Sequence, residues 1–412
     1  MKNKELETLV HEDKEFIRRI RKYGLKDILQ RGIKQIALLA EYVFFSTLET
    51  IFFFLPEKPY RVVLYAHKRR GYTCNPKYIA EYLLHNSSAK YELIWITDYP
   101  ESFKTLKNNQ MKIVKNKTIK HFYYTMTAKV NITNDFFVFN RKNQLSINTW
   151  HGGGAYKKSG LSFSLYNLIF RLSYRYTDYV ISSSETFSKI AMEMFGCGMD
   201  KILPIGMPRN DLFFERHDEI KQRFYSKYEI PIEKKTILYA PTFRENNTFD
   251  EILLDQMKEI EKALKVRFGG EWQFLYRNHY FINGRTNIDG IAIDVTLYED
   301  MQEILYSVDV LITDYSSSIW DFGLTQKPCF LFTPDLDEYM RNERNFYLDI
   351  EKWPYCLSRN IDELKNNILT FDSQKYEYAL RKHWEQLGTY ENGEATKKIV
   401  DVINAHCGVR NE

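Results

Sequence analysis

At 412 residues the chain is longer than one ordinary domain and suits two or three. Its 44% hydrophobic and 16% aromatic content, with 27% charged residues, excludes a disordered chain and a polytopic membrane protein. The net charge of +4 is localised: residues 1–34 hold ten Lys or Arg against six Asp or Glu, leaving the rest near neutral, which argues against a general nucleic-acid binder with basic surface over its whole fold.

Next to the basic segment, Ile36 to Leu55 is rich in Leu, Ile and Phe but carries Glu41 and Glu49, and Pro56 closes it. Two acids within an apolar helix, each costing ~2.5–3.5 kcal/mol near a bilayer centre, oppose spanning. A helix lying on an anionic membrane surface is expected instead, with packing against the protein body or a partner chain as the alternative. From Tyr60 the pattern becomes strand, loop, helix. Strands are predicted at Arg61–Ala66, Tyr91–Thr97, Met111–Val114, Val130–Thr133 and Ser146–Trp150, with helices at Lys77–Leu84, capped by Asn75-Pro76, and Ile119–Thr127. A strand at Tyr179–Ser182, a helix at Glu185–Phe195 and a strand at Lys201–Ile205 follow, then Gly206-Met-Pro-Arg-Asn-Asp211.

Asp218–Tyr228 reads as a polar helix and Glu229–Lys235 as a linker. A second alternating series begins with strand Thr236–Ala240, helix Glu251–Phe268, strands Gln273–Arg277 and Ile291–Asp294, and helix Tyr298–Ser307. Asp309–Thr313 is apolar enough to be a strand buried on both faces, Ser316–Ser318 supplies N-cap residues for the helix that Ile319 and Trp320 begin, and Pro328–Phe332 is a further strand. Three helices, about Ile361–Thr370, Gln374–Leu387 and Glu394–His406, close the chain. Such alternation predicts an α/β protein with two open parallel sheets, whose ligands bind outside the carboxyl ends of the strands.

Three segments at strand ends carry residues suited to phosphate chemistry. In Trp150-His151-Gly152-Gly153-Gly154, His151 is a candidate general base, the glycines allow close approach, and Lys157 and Lys158 lie just beyond. Arg244 follows strand Leu238–Ala240 and offers a planar fork to a phosphate; a surface pairing with Glu245 is the alternative. His279, in Arg277-Asn278-His279-Tyr280, can bond a phosphoryl oxygen or protonate a leaving group. The serine helix start adds a positive dipole end for a pyrophosphate. Asp335-Leu336-Asp337 has the spacing of a metal-dependent sugar transferase but reads as helix N-terminal acids; Asp314 and Asp321 lack a companion carboxylate. No obligatory metal or cofactor is expected. Five cysteines without a pairing pattern and no secretory signal favour a reducing cytoplasm.

His151 in TWHGGG, GMPRND at Gly206 to Asp211, LYAPTFR at Leu238 to Arg244, RNHY at Arg277 to Tyr280, ITDYSSSIWDF at Ile312 to Phe322 and KPCFLFTPDLDEY at Lys327 to Tyr339 stand in one order, with a looser match at Thr73 to Leu83. In this the chain resembles the CDP-glycerol glycerophosphotransferases. The resemblance implies a glycosyltransferase-B-like pair of Rossmann-type domains facing across a cleft. The expected division is a membrane-associating segment at 1–58, an acceptor domain at 59–228, a CDP-donor domain at 229–390 and a crossing helix at 391–412. The resemblance implies catalytic roles for His151 and His279 and pyrophosphate binding by Ser316, Ser317 and Ser318; further donor or phosphate contacts are expected from Arg244, Thr313, Asp314 and Asp321, and an acceptor cleft at Gly152, Gly153, Lys157, Lys158, Arg209 and Asn210.

The implied reaction moves glycerol phosphate from CDP-glycerol to a lipid-linked glycan or polyol-phosphate acceptor at the cytoplasmic face of a bacterial membrane, for teichoic acid or capsule assembly. A CDP-ribitol donor, a UDP-sugar glycosyltransferase and a membrane scaffold with an inactive transferase body are the alternatives. Relatives often carry a Thr-Pro turn after the first histidine, where this chain has Gly152 to Tyr156, and this departure bears on acceptor identity more than on reaction type.

Overall fold

The computed structural model describes residues 51–69, 71–86, 91–103, 111–135, 140–153, 176–242, 256–278, 290–342 and 346–409, with Tyr174, Leu253 and single positions between 33 and 50. Two sheets result from the alternation. The first contains β1 (Arg61–Tyr65), β2 (Glu92–Thr97), β3 (Lys112–Lys115), β4 (Val130–Thr133), β5 (Leu145–Asn148), β6 (Tyr179–Ser182) and β7 (Ile202–Pro204), in the order β3-β2-β1-β4-β5-β6-β7. The second contains β8 (Lys235–Ala240), β9 (Trp272–Tyr276), β10 (Ile293–Asp294), β11 (Val310–Thr313), β12 (Cys329–Phe332) and β13 (Cys356–Ser358), in the order β10-β9-β8-β11-β12-β13. All pairings are parallel. In each sheet the chain winds outward in one direction and then returns to wind in the other. The reversal falls between β1 and β4 and between β8 and β11, and such switch points open crevices for ligands at the strands' carboxyl ends.

The inner strands are buried along their whole length, as runs such as Val62-Val63-Leu64 and Val310-Leu311-Ile312 require. Each sheet has its own core. Helices Ile361–Leu369 and Ser373–Leu387 add Leu364, Ile368, Leu380 and Leu387 to the second, whereas Ala395–Cys407 sends Ile399, Val400 and Ile403 into the first. The return begins at Gly388, whose φ of +63° sets a left-handed cap; a Cβ there would lie 2.7 Å from Glu185 Cγ, while the Gly388 carbonyl accepts the Glu185 N–H at 2.9 Å.

Differences from the sequence reading lie at element ends. β3 is displaced by one residue, and the short edge strand β13 was not anticipated. The helix predicted from Tyr298 begins at Met301, where Asp300 caps it by accepting the Gln302 N–H at 3.0 Å. The helix assigned to Lys77–Leu84 runs Cys74–Asn86, and Asn75 does not cap it. Its amide donates to the carbonyls of Thr149 at 2.9 Å and Trp150 at 3.1 Å, a long-range use that a fully buried amide requires. Among the described residues, no helix is long and apolar enough to cross a membrane.

Candidate functional site

A cavity of about 530 Å³ lies between the two sheets where both switch points open. On the first-sheet wall, β1 leads to His67, β4 to Asn134 and β5 to Trp150-His151. His151 Nδ1 lies 3.1 Å from the Asn134 carbonyl. A carbonyl only accepts, so Nδ1 carries the proton and Nε2 keeps its lone pair. Trp150 adopts φ +48°, a costly conformation for a bulky residue, and its N–H donates to Asn148 Oδ1 at 2.8 Å. That kink turns His151 from the strand into the cavity. Enclosure and then the neighbouring His67 lower the imidazole's pKa below its ordinary value; the ring still opens on the cavity, so water moderates the effect.

Gly153 allows this loop to touch the other half of the molecule, for a Cβ there would sit 2.5 Å from Trp320 Cδ1. Across the cavity, Ser316, Ser317 and Ser318 line the second-sheet wall at the start of helix Ser318–Gly323. Ser317 makes no side-chain cap bond, and Ser318 Oγ donates to Ser316 Oγ at 2.9 Å. The backbone N–H groups of Ser316 and Ser317 have no acceptor among the described residues, so both remain for a ligand.

Arg209 is central to the joint. One terminal nitrogen donates to the His151 carbonyl at 2.9 Å and to Cys74 Sγ at 3.1 Å; the other stands 2.8 Å from Asp321 Oδ2. Asp321 also accepts from Gln302 Nε2 at 2.9 Å. Burial pulls against both charges: the guanidinium beside Asp321 nonetheless stays above its ordinary pKa, whereas at Asp321 burial outweighs Arg209 and lifts the carboxyl above its ordinary value. Burial would push the Cys74 thiol up, but Arg209 and His67 outweigh it and bring it down to about 7. Burial would lower His67, but Cys74 and Asp135 outweigh that and hold it above the ordinary histidine value.

The expected site residues divide accordingly. His151, Arg209, Ser316, Ser317, Ser318 and Asp321 meet at the cavity. Gly152 and Gly153 lie in the loop beside it. Asn210 faces away: fully buried, it donates to Glu391 Oε1 at 3.0 Å. Thr313 donates to the Ala240 carbonyl at 2.6 Å, and Asp314 accepts from the Thr242 N–H at 2.9 Å and hydroxyl at 2.6 Å; both stitch β8 to β11. Lys157, Lys158, Arg244 and His279 lie outside the described residues. Sequence reasoning missed His67, Cys74, Asn134 and Glu391. His67 carries the same signal as His151, a histidine just after a buried strand, without the glycines that marked the latter. No three His, Cys, Asp or Glu side chains converge on a metal-sized site among the described residues.

Residues 47–405 match the family described as CDP-glycerol:poly(glycerophosphate) glycerophosphotransferase. The chain is 30% identical over 379 residues to a teichoic acid glycerol-phosphate transferase of Staphylococcus aureus, covering 86% of this chain and 96% of that protein. It is 28% identical over 374 residues to a teichoic acid poly(glycerol phosphate) polymerase of Staphylococcus epidermidis, where the match covers 84% of this chain but only 51% of the relative. The solved wall teichoic acid polymerase TagF superposes with a TM-score of 0.76 at 26% identity, over 91% of this chain and 98% of that one.

Proposed function

The chain belongs to the CDP-glycerol:poly(glycerophosphate) glycerophosphotransferase family, and from that premise we propose how its cavity performs the transfer. The acceptor lies on the first-sheet wall and CDP-glycerol on the second. His151 Nε2 takes the proton of an acceptor hydroxyl while that oxygen attacks the β-phosphorus. The bond from the β-phosphorus to the bridging oxygen breaks, glycerol phosphate passes to the acceptor and CMP leaves. The free N–H groups at Ser316 and Ser317 hold pyrophosphate oxygens. Arg244 offsets their charge, and His279 protonates the departing CMP. No covalent enzyme intermediate is needed, since positioning and charge stabilisation supply the catalysis.

The acceptor is a polyol-phosphate chain or its lipid-linked primer in teichoic acid-type synthesis. The site works at the cytoplasmic membrane face, to which the protein binds peripherally. The apolar side chains Ile51, Phe53 and Phe54 support this, being 64%, 43% and 89% exposed next to Arg141, whose guanidinium lies over Phe53 and bonds the Leu55 carbonyl.

The observation that carries the reading is the fixed His151 tautomer, with its lone pair on the cavity that the serine helix start also lines. With CDP-glycerol and a glycerol-phosphate acceptor, His151→Ala should bind donor normally yet release CMP at least ~10²-fold more slowly, the lower range for losing a general base. Near-normal turnover overturns the role. CMP from CDP-ribitol in place of CDP-glycerol would keep the mechanism and change the product.

A further inference from the structure

β4 lies between β1 and β5, and the residue at its end holds a histidine on each side. The His67 N–H donates to Asn134 Oδ1 at 2.8 Å, and His151 bonds the Asn134 carbonyl. Asn134 is fully buried, so the His67 backbone and the His151 ring share one rigid support, and the two ring centroids are 6.1 Å apart. Both rings line the same cavity, close enough for one short polyol-phosphate unit to meet both.

We propose that His67 binds the phosphate of the acceptor's terminal polyol-phosphate unit, so that the first-sheet wall selects acceptors with a phosphodiester one unit behind the attacking hydroxyl. This rests on the reading above that His151 activates the acceptor. The His67 imidazole lines the cavity, bonds the Cys74 thiol, and has no second ring partner among the described residues. The ionisable groups facing it are Cys74, Asp135, Arg209 and His151; the first two favour its cationic form and Arg209 opposes it.

Arg209, 4% exposed, lines the same wall and adds the positive charge of its guanidinium beside it. Past His67 the wall continues over β1 and β2 to Thr73, Tyr99 and Ser102, room for the preceding unit of a polymer.

The test compares two soluble acceptors with the same primary hydroxyl: glycerophosphoglycerol, and diglycerol, its ether analogue without phosphate. His67→Asn suits the position, whose φ of +43° Asn tolerates. The variant should raise KM for glycerophosphoglycerol at least about tenfold, the loss expected for one charge-assisted hydrogen bond. KM for CDP-glycerol should stay within about twofold; because His67 also acts on the His151 pKa, any change in kcat should be shared by both acceptors, so the preference for glycerophosphoglycerol over diglycerol in kcat/KM should fall at least about tenfold. An equal loss with both acceptors, or a fall in kcat alone, overturns the proposal and makes His67 a support for His151. Calorimetric binding of glycerophosphoglycerol to the full chain without donor separates this from failure of the transfer reading. Binding by the wild type that His67→Asn weakens supports the site even if no CMP is released; equal binding, or none to the wild type, overturns it.

Discussion

Removing the Arg209 guanidinium tests whether the joint between the two halves is an ionised buried pair. Arg209 and Asp321 lie 2.8 Å apart, with side chains 4% and 5% exposed, so water solvates neither. Arg209→Met leaves a buried carboxylate with the Gln302 amide as its nearest remaining donor, and strips donors from the His151 carbonyl and Cys74. Breaking such a pair from one side costs ~3–5 kcal/mol, against ~0–1 kcal/mol for an exposed pair. Urea unfolding followed by tryptophan fluorescence reads the difference. The double variant Arg209→Met/Asp321→Leu should recover much of the loss, because no charge is then stranded. Arg209→Lys should fall between, since an ammonium keeps the charge without the fork that meets Asp321, Cys74 and the His151 carbonyl together. A loss below ~1 kcal/mol for Arg209→Met would refute a buried ionised joint.

Glu391 predicts a pH dependence of stability. Burial, with Asp321 adding, pushes its carboxyl from 4.5 up to about 7, although the Met207 N–H, Asn210 amide and Trp320 indole donate to it. A raised folded pKa gives stability that is full below about 4.5 and drains as pH rises through about 7, on the order of 3 kcal/mol in all. Wild-type urea stability should therefore lose this amount between pH 5 and 8 relative to Glu391→Gln, which cannot ionise; parallel pH profiles would contradict the assignment. For the membrane reading, the full chain should sediment with anionic liposomes, less at high salt, and removal of residues 1–56 should abolish this. Continued sedimentation of the shortened chain sinks it.

What the sequence revealed follows from which interactions are local. Strands β1, β4, β8 and β11 are buried on both faces, and that burial demands contiguous runs such as Val62-Val63-Leu64 and Leu311-Ile312, visible without any partner. β13 is three residues at a sheet edge with a half-exposed pattern, too short to show a period. His151 and Ser316 to Ser318 stood out because a strand end, glycines and hydroxyls lie side by side in the chain. Partners were not legible. Arg209 finds Asp321 across 112 positions, and the His67 N–H finds Asn134 across 67. Polar residues in a glycine-containing motif were therefore expected to face a ligand, whereas the fold buries Asn210 on Glu391 and commits most of Arg209 to protein groups.

Those long-range commitments explain how two separate sheets hold a reaction centre. Arg209 touches the His151 loop through the His151 carbonyl, the serine helix through Asp321 and the helix beginning at Cys74, so one side chain relates the proposed base to the proposed pyrophosphate site. A second buried joint ties the same two halves: Lys77 Nζ lies 2.6 Å from Asp300 and 2.9 Å from Glu303, with all three side chains at most 11% exposed. Separating the sheets here would strand charges at several kcal/mol each, more than a binding step can readily repay. Substrates must therefore reach the cavity where its wall is open to water, beside Tyr99 and Leu297, which are 55% and 87% exposed and line it from opposite sheets. On the proposed function, an acceptor arriving there enters along the wall that Tyr99, His67 and His151 line. Under that proposal the terminal unit lies inside the cavity and the chain behind it extends into solvent.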